Sequence, residues 1–354
     1  MRKIAYLKLV KYLFNKNTKG PVQLIHFITS KCNAKCKHCF YWKNLNQNTD
    51  LKLKEINKIT KTLPDLYFLL ISGGEPFLRK DFVDIVTSYY KNTNLVELTV
   101  PTNGLLTHKI INDSKQILEN CPGLELNIVI SLDGKEEIHD QIRGVPGCFN
   151  KAVKSLFELK ELKKKYKCLK VSIVSTLMSV NQKEMSALYK YVKYDLKPDV
   201  FSVNLIRSTP KKPNLKNVNL DYFKEILKLE EYELKKGKGF KGKVRNMMHK
   251  LRTKIIIDTI EKKKYVIPCY AAKLTGVLSE DGTVYPCEML GKEIGNIKDF
   301  DYDLRKVWGS KEAKNYRKFI KKTKCFCTHE CFLRINILFN PMFLIKSYIK
   351  NKMT

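Results

Sequence analysis

Cys32, Cys36 and Cys39 stand at C-x3-C-x2-C spacing, with Phe40 directly after the last of them. Three thiolates so placed can hold three corners of a cubane iron–sulfur cluster and leave the fourth iron without a protein ligand. An open iron is a site for chemistry, where a fully ligated cluster mainly moves electrons. Structural zinc is the competing use of such a loop, but zinc frameworks usually pair C-x2-C units and supply four ligands. His38 is the fourth candidate nearby, and its neighbours on either side would strain it.

A second cysteine set lies far along the chain: Cys269, then Cys287 preceded by Gly282 at Gly-x4-Cys spacing, then Cys325, Cys327 and Cys331. With the first loop these make eight of the eleven cysteines. Such clustering fits metal ligation in a reducing cytoplasm better than disulfides in a secreted protein. Cys121, Cys148 and Cys168 stand alone and read as small hydrophobic filler. Cys148 follows a Gly-Val-Pro-Gly loop and is the one of the three placed to be weighed as a catalytic hydrogen donor.

Positioning these groups falls to a strand–helix alternation. Apolar, β-branched runs recur at Val22–Ile28, Tyr67–Ile71, Leu95–Val100, Leu124–Leu132, Leu169–Leu177 and Val200–Ile206. Amphipathic stretches such as Leu51–Leu63, Phe82–Tyr90, Lys151–Lys165 and Gln182–Tyr194 lie between them. Strands alternating with helices imply a parallel sheet. The cysteine loop follows the first strand, Ser72-Gly73-Gly74-Glu75-Pro76 the second, and Pro101-Thr102-Asn103-Gly104 the third. Ser131 and Asp133 end the fourth, and Asn204 and Arg207 close the sixth. Polar groups at successive strand ends converge on one mouth in a barrel. In a doubly wound sheet they would spread along an edge. The expected fold class is therefore α/β, a partial (β/α)6 TIM-like barrel over residues 22–215. A helical connector is expected over 216–264, from stretches near 219–235 and 243–262. A small cysteine-rich, metal-dependent domain follows over 265–335, with a hairpin of Thr275–Leu278 and Thr283–Tyr285 about the Asp281-Gly282 turn. A helix-like stretch at Tyr302–Ile320 completes it.

Over roughly residues 22–210 these motifs resemble the radical S-adenosylmethionine (SAM) enzymes. The resemblance implies that Cys32, Cys36 and Cys39 ligate a [4Fe–4S] cluster, with Phe40 as the usual aromatic. It implies that SAM chelates the open iron, and that one electron cleaves it to methionine and a 5′-deoxyadenosyl radical that abstracts hydrogen from substrate. Gly73, Gly74, Glu75 and Pro76 resemble the GGEP motif, whose glycines permit close backbone approach and whose carboxylate suits the SAM ammonium group. Thr102, Asn103, Ser131 and Asp133 resemble later SAM-contacting strand ends, and Arg143 stands where many relatives pair the SAM carboxylate. The second cysteine set resembles SPASM/twitch auxiliary-cluster domains. A full SPASM domain carries seven cysteines and two clusters. Here there are five, and C-x2-C-x5-C-x3-C is shortened to C-x-C-x3-C. One auxiliary [4Fe–4S] cluster is expected, on Cys269, Cys287 and Cys331 with Cys325 or Cys327 as the fourth ligand. Structural zinc is the alternative here.

The 67 basic and 35 acidic residues leave a formal charge of +32. Generic solvated lysines, an anionic membrane surface, nucleic acid, or an acidic donor such as ferredoxin or flavodoxin would each suit it. Lysines spread over the whole chain rather than gathered with stacking aromatics weigh against a tRNA-modifying or other nucleic-acid role. A non-catalytic cluster or zinc protein would have no use for an open iron beside Glu75. The basic segments 1–21 and 336–354 place apolar residues at helical spacing over 4–14 and 338–352, a pattern that suits an anionic bilayer or docking on the barrel. No signal peptide and no membrane span is evident. The expected location is cytoplasmic, with peripheral contact at the inner face of the membrane if the tails bind lipid. The SPASM resemblance points first to a peptide substrate. The segment before Val22 is too short for the peptide-recognition domain that peptide maturases often carry, so a membrane-associated lipid, polyprenyl or glycan-linked substrate is held equal.

Overall fold

The computed structural model describes residues 7–235 and 239–345. Strands β1 (Gln23–Thr29), β2 (Phe68–Gly73), β3 (Glu97–Thr102), β4 (Glu125–Ser131), β5 (Leu169–Leu177) and β6 (Val200–Leu205) pair in parallel, each with the next. Helices alternate with them: α1 (Lys11–Phe14), α2 (Leu53–Thr60), α3 (Phe82–Asn92), α4 (Thr107–Asn120), α5 (Glu136–Arg143), α6 (Cys148–Lys165) and α7 (Met185–Tyr191). The two-residue period of a strand sorts its side chains. Along β4, Leu126, Ile128 and Ile130 are buried, whereas Val129 and Ser131 line a cavity inside the curl of the sheet. Thr99 and Pro101 on β3, Val174 and Thr176 on β5, and Ser202 and Asn204 on β6 line the same cavity. A partial barrel results. β6 forms one edge of the sheet, which does not close on itself.

β1 is buried along its whole length, because it has neighbours on both sides. Its polar residues find partners inside the fold, except that His26 Nε2 is buried without one. His26 Nδ1 meets the Tyr89 hydroxyl at 2.9 Å, and Thr29 donates to Asp50 at 2.6 Å. The second neighbour is β7 (Thr275–Leu278), which pairs parallel to β1 from Gln23↔Thr275 to His26↔Leu278. Antiparallel β8 (Thr283–Tyr285) and β9 (Gly295–Asn296) extend one nine-stranded sheet. The hairpin expected to belong to a separate small domain is thus built onto the barrel wall. Strands of this length cannot bury a face alone, and the free edge of β1 supplies the missing partner.

Helices α8 (Leu220–Lys235) and α9 (Gly239–Lys262) connect barrel and hairpin. The stretch Tyr302–Ile320 is broken: α10 (Leu304–Gly309) ends at Ser310, whose extended backbone and hydroxyl cap α11 (Lys311–Lys322) through Ala313 N–H at 3.1 Å. α12 (Glu330–Leu338) follows. Leu9 and Tyr12 pack with Val22, Tyr67, Ile335 and Phe339 beneath the N-terminal ends of the strands. The near parts of both basic tails therefore dock on the barrel, and Leu7, Val10, Phe14, Met342 and Ile345 stay exposed. The remainder of the tail pattern, 4–6 and 346–352, lies outside the described residues. Among the described residues no helix is long and apolar enough to cross a membrane.

Candidate active site

The cysteine loop leaves β1 and is tied on three sides. Asp50 accepts from the Ser30 N–H at 2.8 Å. The Lys35 and Lys37 N–H groups donate to the carbonyls of Arg143 and Ile142 at the end of α5, both at 2.9 Å. The Lys211 and Lys212 N–H groups, beyond β6, donate to the Cys39 and Lys37 carbonyls at 3.1 and 3.0 Å. Cys32, Cys36 and Cys39 all line the cavity, which has a volume of about 410 Å³, within the range of small-molecule sites. Burial first, then the neighbouring thiols, pushes Cys32 and Cys39 up to about 12. Crowded, buried thiols of this kind fit a cation-bearing cluster, which strips coordinated thiols of their protons.

The Gly73-Gly74 turn presses on this loop. A Cβ at Gly74 would lie 2.1 Å from the Lys31 carbonyl oxygen, so only glycine allows the approach. The Glu75 N–H donates to that same oxygen at 2.8 Å. The Glu75 carboxylate, 1% exposed, accepts from Thr102 Oγ1 and Asn103 N–H at 2.8 Å each and from Phe77 N–H at 3.3 Å. Burial nevertheless raises it to about 7, because its hydrogen-bond donors are neutral. A buried carboxylate lining a cavity without a contacting cation fits the ammonium group of SAM. Asn103 Nδ2 in turn donates to Asn33 Oδ1 in the cysteine loop at 2.7 Å. Asn33 carries no motif signal and is visible only in the fold.

Ser131, Thr102 and Asn103 line the cavity beside Gly73, Gly74 and Glu75, whereas Pro76 is buried behind them, opening a 3-10 turn. Asp133 is fully buried and does not reach the cavity, contrary to the expected SAM contact. It pairs with Arg143 Nη2 at 2.6 Å and accepts from Thr176 N–H at 2.8 Å. Burial opposes its charge, and Arg143, with help from His38 and His139, holds the carboxyl below its ordinary range. Arg143 lines the cavity, but its guanidinium is committed to Asp133 and, from Nη1, to Cys36 Sγ at 3.7 Å. It braces the cluster loop in this structure rather than standing free for a carboxylate. His38 turns toward Asp133 at 3.9 Å, and burial lowers it to about 4. Cys148 is completely buried at the start of α6, with its Sγ 4.0 Å from the Asn103 carbonyl. It does not line the cavity, which removes it as a hydrogen donor.

The opposite wall comes from the C-terminal residues. Arg207 packs its guanidinium 5.9 Å from the Phe40 ring centre and 3.4 Å from Glu288, which His329 Nε2 meets at 2.9 Å. Burial opposes the Glu288 charge, and His329 and Arg207 hold it down near 2. Glu288, Glu330 and Cys331 line the same cavity as the first three cysteines. Glu288 directly follows Cys287, and that adjacency was the available sequence signal. Cys269, Cys287, Cys325 and Cys327 interact with one another across a neighbouring space, and burial raises each of them. Among the described residues no three His, Cys, Asp or Glu side chains converge to hold a single metal ion. A cubane needs its thiolates farther apart than that, since irons and sulfides lie between them.

Residues 27–192 match the Radical SAM superfamily, and residues 265–332 match SPASM, an iron–sulfur cluster-binding domain. The chain belongs to the radical SAM superfamily. Its first domain is of the kind that binds a [4Fe–4S] cluster and SAM, and its SPASM domain is of a kind that binds iron–sulfur. This radical SAM protein is 27% identical over 197 residues to Fe-coproporphyrin III synthase of Methanosarcina barkeri, covering 54% of this chain and 46% of that protein. It is 25% identical over 322 residues to the antilisterial bacteriocin subtilosin biosynthesis protein AlbA of Bacillus subtilis, covering 86% of this chain and 65% of that one. The chain thus spans about half to two thirds of the length of these curated relatives. Streptococcus suis SuiB, in a crystal structure bound to precursor peptide SuiA, superimposes with a TM-score of 0.58 at 17% identity, covering 88% of this chain and 69% of SuiB. That likeness is one of fold.

Proposed function

We propose that this protein is a radical SAM oxidoreductase that modifies a peptide inside the barrel. The observation that carries the reading is the shared cavity: the cysteine loop and Glu75 form one wall, and Arg207, Glu288, Glu330 and Cys331 the other. When bound, SAM and the cluster supply a 5′-deoxyadenosyl radical. The protein's own residues position and exclude. Cys32, Cys36 and Cys39 hold the cluster, Glu75 takes the SAM ammonium, and Asn103 ties the GGEP turn to the loop. Thr102 orients Glu75, and Ser131 and Thr176 line the lumen beside it. Arg143, neutralised by Asp133, fixes the loop and donates to Cys36. A peptide is favoured by AlbA, a bacteriocin biosynthesis protein by name, and by SuiB, captured with a precursor peptide. Low-potential electrons would come from a small acidic donor such as ferredoxin or flavodoxin, drawn by the basic surface.

Anaerobic reconstitution should give about eight irons per chain, two cubanes, and SAM should be cleaved to 5′-deoxyadenosine under reduction. A colourless protein that leaves SAM intact would refute the reading. Peptides encoded beside the gene are the substrates to test by mass spectrometry. A membrane-associated lipid or glycan substrate is the second reading, favoured by exposed Leu7, Val10 and Phe14 among lysines. Its expectation is pelleting with anionic but not neutral vesicles, and loss of pelleting on deleting residues 1–14 would assign it to that tail.

A further inference from the structure

The cysteine loop is basic on its outer side. Cys32, Ala34, Cys36, His38 and Cys39 line the main cavity, and the lysines interleaved with them, Lys31, Lys35 and Lys37, do not. Lys31 and Lys35 are exposed and Lys37 is half-buried. The loop is thus a wall one chain thick, with thiols inward and ammonium groups outward. A second basic segment lies against it. Lys211 and Lys212, whose N–H groups bond to the Cys39 and Lys37 carbonyls, carry exposed side chains. Exposed Lys216 follows, its Nζ meeting the Ser208 carbonyl at 3.1 Å. Lys211 is close enough for its charge to act on the Cys39 sulfur. Residues 31–49 hold four lysines and residues 200–220 hold Arg207 and three lysines, yet neither segment contains an Asp or Glu. With 35 acidic residues in 354, about four would be expected over two segments of this length. The carboxylates beneath the loop are already taken, Asp50 by Ser30 and Asp133 by Arg143. Lysines that look evenly spread along the chain are therefore gathered by the fold into one face, directly over the thiols of the radical generator.

We propose that the outer face formed by Lys31, Lys35, Lys37, Lys211, Lys212 and Lys216 is the docking surface for a small acidic one-electron carrier protein. The inference rests on the donor reading given above and deepens it, by locating the interface. Charge complementarity selects an acidic partner, since the face holds cations and no competing carboxylates. The side of the loop on which they lie selects its role. A molecule seated there is separated from the cavity by the loop itself, so none of its atoms can meet the 5′-deoxyadenosyl radical. An electron needs no such entry: the carrier gives up one electron to the cluster, with no bond made or broken and no proton moved. The hydrogen bonds from Lys211 and Lys212 to the Cys39 and Lys37 carbonyls provide a short path from this surface to a cluster ligand. Substrate occupies the cavity on the inner side, against Glu288, Glu330 and Cys331. The loop therefore keeps electron delivery and substrate apart, and both can be bound at once.

The test uses the reconstituted full chain and two reductants, reduced flavodoxin and dithionite, with 5′-deoxyadenosine formation as the readout. Dithionite is small and needs no docking surface. In a Lys35→Glu, Lys211→Glu, Lys212→Glu variant, the ratio of the flavodoxin-driven to the dithionite-driven rate should fall by about tenfold or more at low salt. A variant that assembles its cluster poorly loses both rates together, so the ratio still reports docking. The control places the same charge change on the outer helices, as Lys61→Glu, Lys91→Glu and Lys115→Glu, all exposed, and should keep the ratio within about twofold. In the unaltered protein the flavodoxin-driven rate should fall as salt rises, and the loop variant should lose most of that dependence. Reduced ferredoxin in place of flavodoxin should give the same pattern. An equal ratio in the loop variant and the unaltered protein overturns the inference, as does an equal fall in the control. Loss of affinity for RNA or polyglutamate with an unchanged ratio also overturns it, by assigning the face to another polyanion. Absence of SAM cleavage with dithionite overturns the radical SAM reading itself. Cleavage with dithionite but with neither carrier overturns the donor reading, so the failures are told apart.

Discussion

Glu75→Gln should trade SAM affinity for stability, and the structure sets the size of both effects. The Glu75 carboxylate is fully buried among neutral donors, and burial moves it from an ordinary 4.5 to about 7. At 1.36 kcal/mol per pH unit that is about 3 kcal/mol of disfavoured charge. Because the folded-state value lies above the unfolded one, the folded protein binds the extra proton between about pH 4.5 and 7. The group's contribution is therefore complete below 4.5, falls as pH rises through that window, and is gone above about 7. In the SAM-free protein at pH 8, the Gln variant should thus be more stable than the unaltered protein, by up to about 3 kcal/mol. An ammonium group reverses the balance by supplying the missing cation. Loss of the carboxylate should weaken SAM binding by roughly 100-fold, since each 1.4 kcal/mol is tenfold. For the unaltered protein, affinity should fall by about tenfold per unit below pH 7 as the proton competes with SAM, whereas the Gln variant should show a flat profile. Anaerobic calorimetry on reconstituted protein from pH 5.5 to 8, beside urea unfolding without SAM, measures both. Equal SAM affinity in the variant, or an unaltered protein whose affinity ignores pH in this range, would refute the role given to Glu75.

Cys36→Ala should remove about half of the bound iron and all 5′-deoxyadenosine formation, while Cys287→Ala should lose a similar share of iron and still cleave SAM. Iron counting beside product chromatography distinguishes the two sets. Arg143→Gln should cost about 3–5 kcal/mol, because it leaves Asp133 buried without its cation. It should also lower the cluster potential by removing a donor to Cys36 Sγ; a potentiometric titration followed by electron paramagnetic resonance reads that shift. Gly276→Ala on β7 would place a Cβ 2.7 Å from the Trp308 ring, and overpacking of this kind costs about 1–3 kcal/mol. A drop in thermal midpoint of several degrees is expected, and an unchanged midpoint would show that Trp308 of α10 does not pack over β7 as described.

Much of the fold is readable from local pattern. The hairpin strands Thr275–Leu278 and Thr283–Tyr285 and the strand Leu169–Leu177 coincide with their expected bounds, because turn chemistry and alternation mark their ends. The other barrel strands shift by one or two residues, as at β3, where Pro101 and Thr102 continue the ladder with β4. Less readable was the split at Ser310, where a cap residue interrupts a stretch whose apolar periodicity runs on. Pairing of β7 with β1 was not readable at all, since a short strand carries no address for its partner. The same holds for Asp133 and Arg143. Their residue types suit a SAM contact, but burial drives each to satisfy the other.

By itself the sequence determined the radical generator: thiol spacing, the double glycine and Glu75 are set by covalent distance along short loops, so they survive without a fold. The tertiary structure alone decided which face each of these groups presents. It turned Cys148 into the core, committed Arg143 to Asp133 and Cys36, and set Glu288, Glu330 and Cys331 in the wall facing the cysteine loop. The physical reason is that facing depends on where a helix starts and which strand edge is free, and both are fixed by packing between segments hundreds of residues apart.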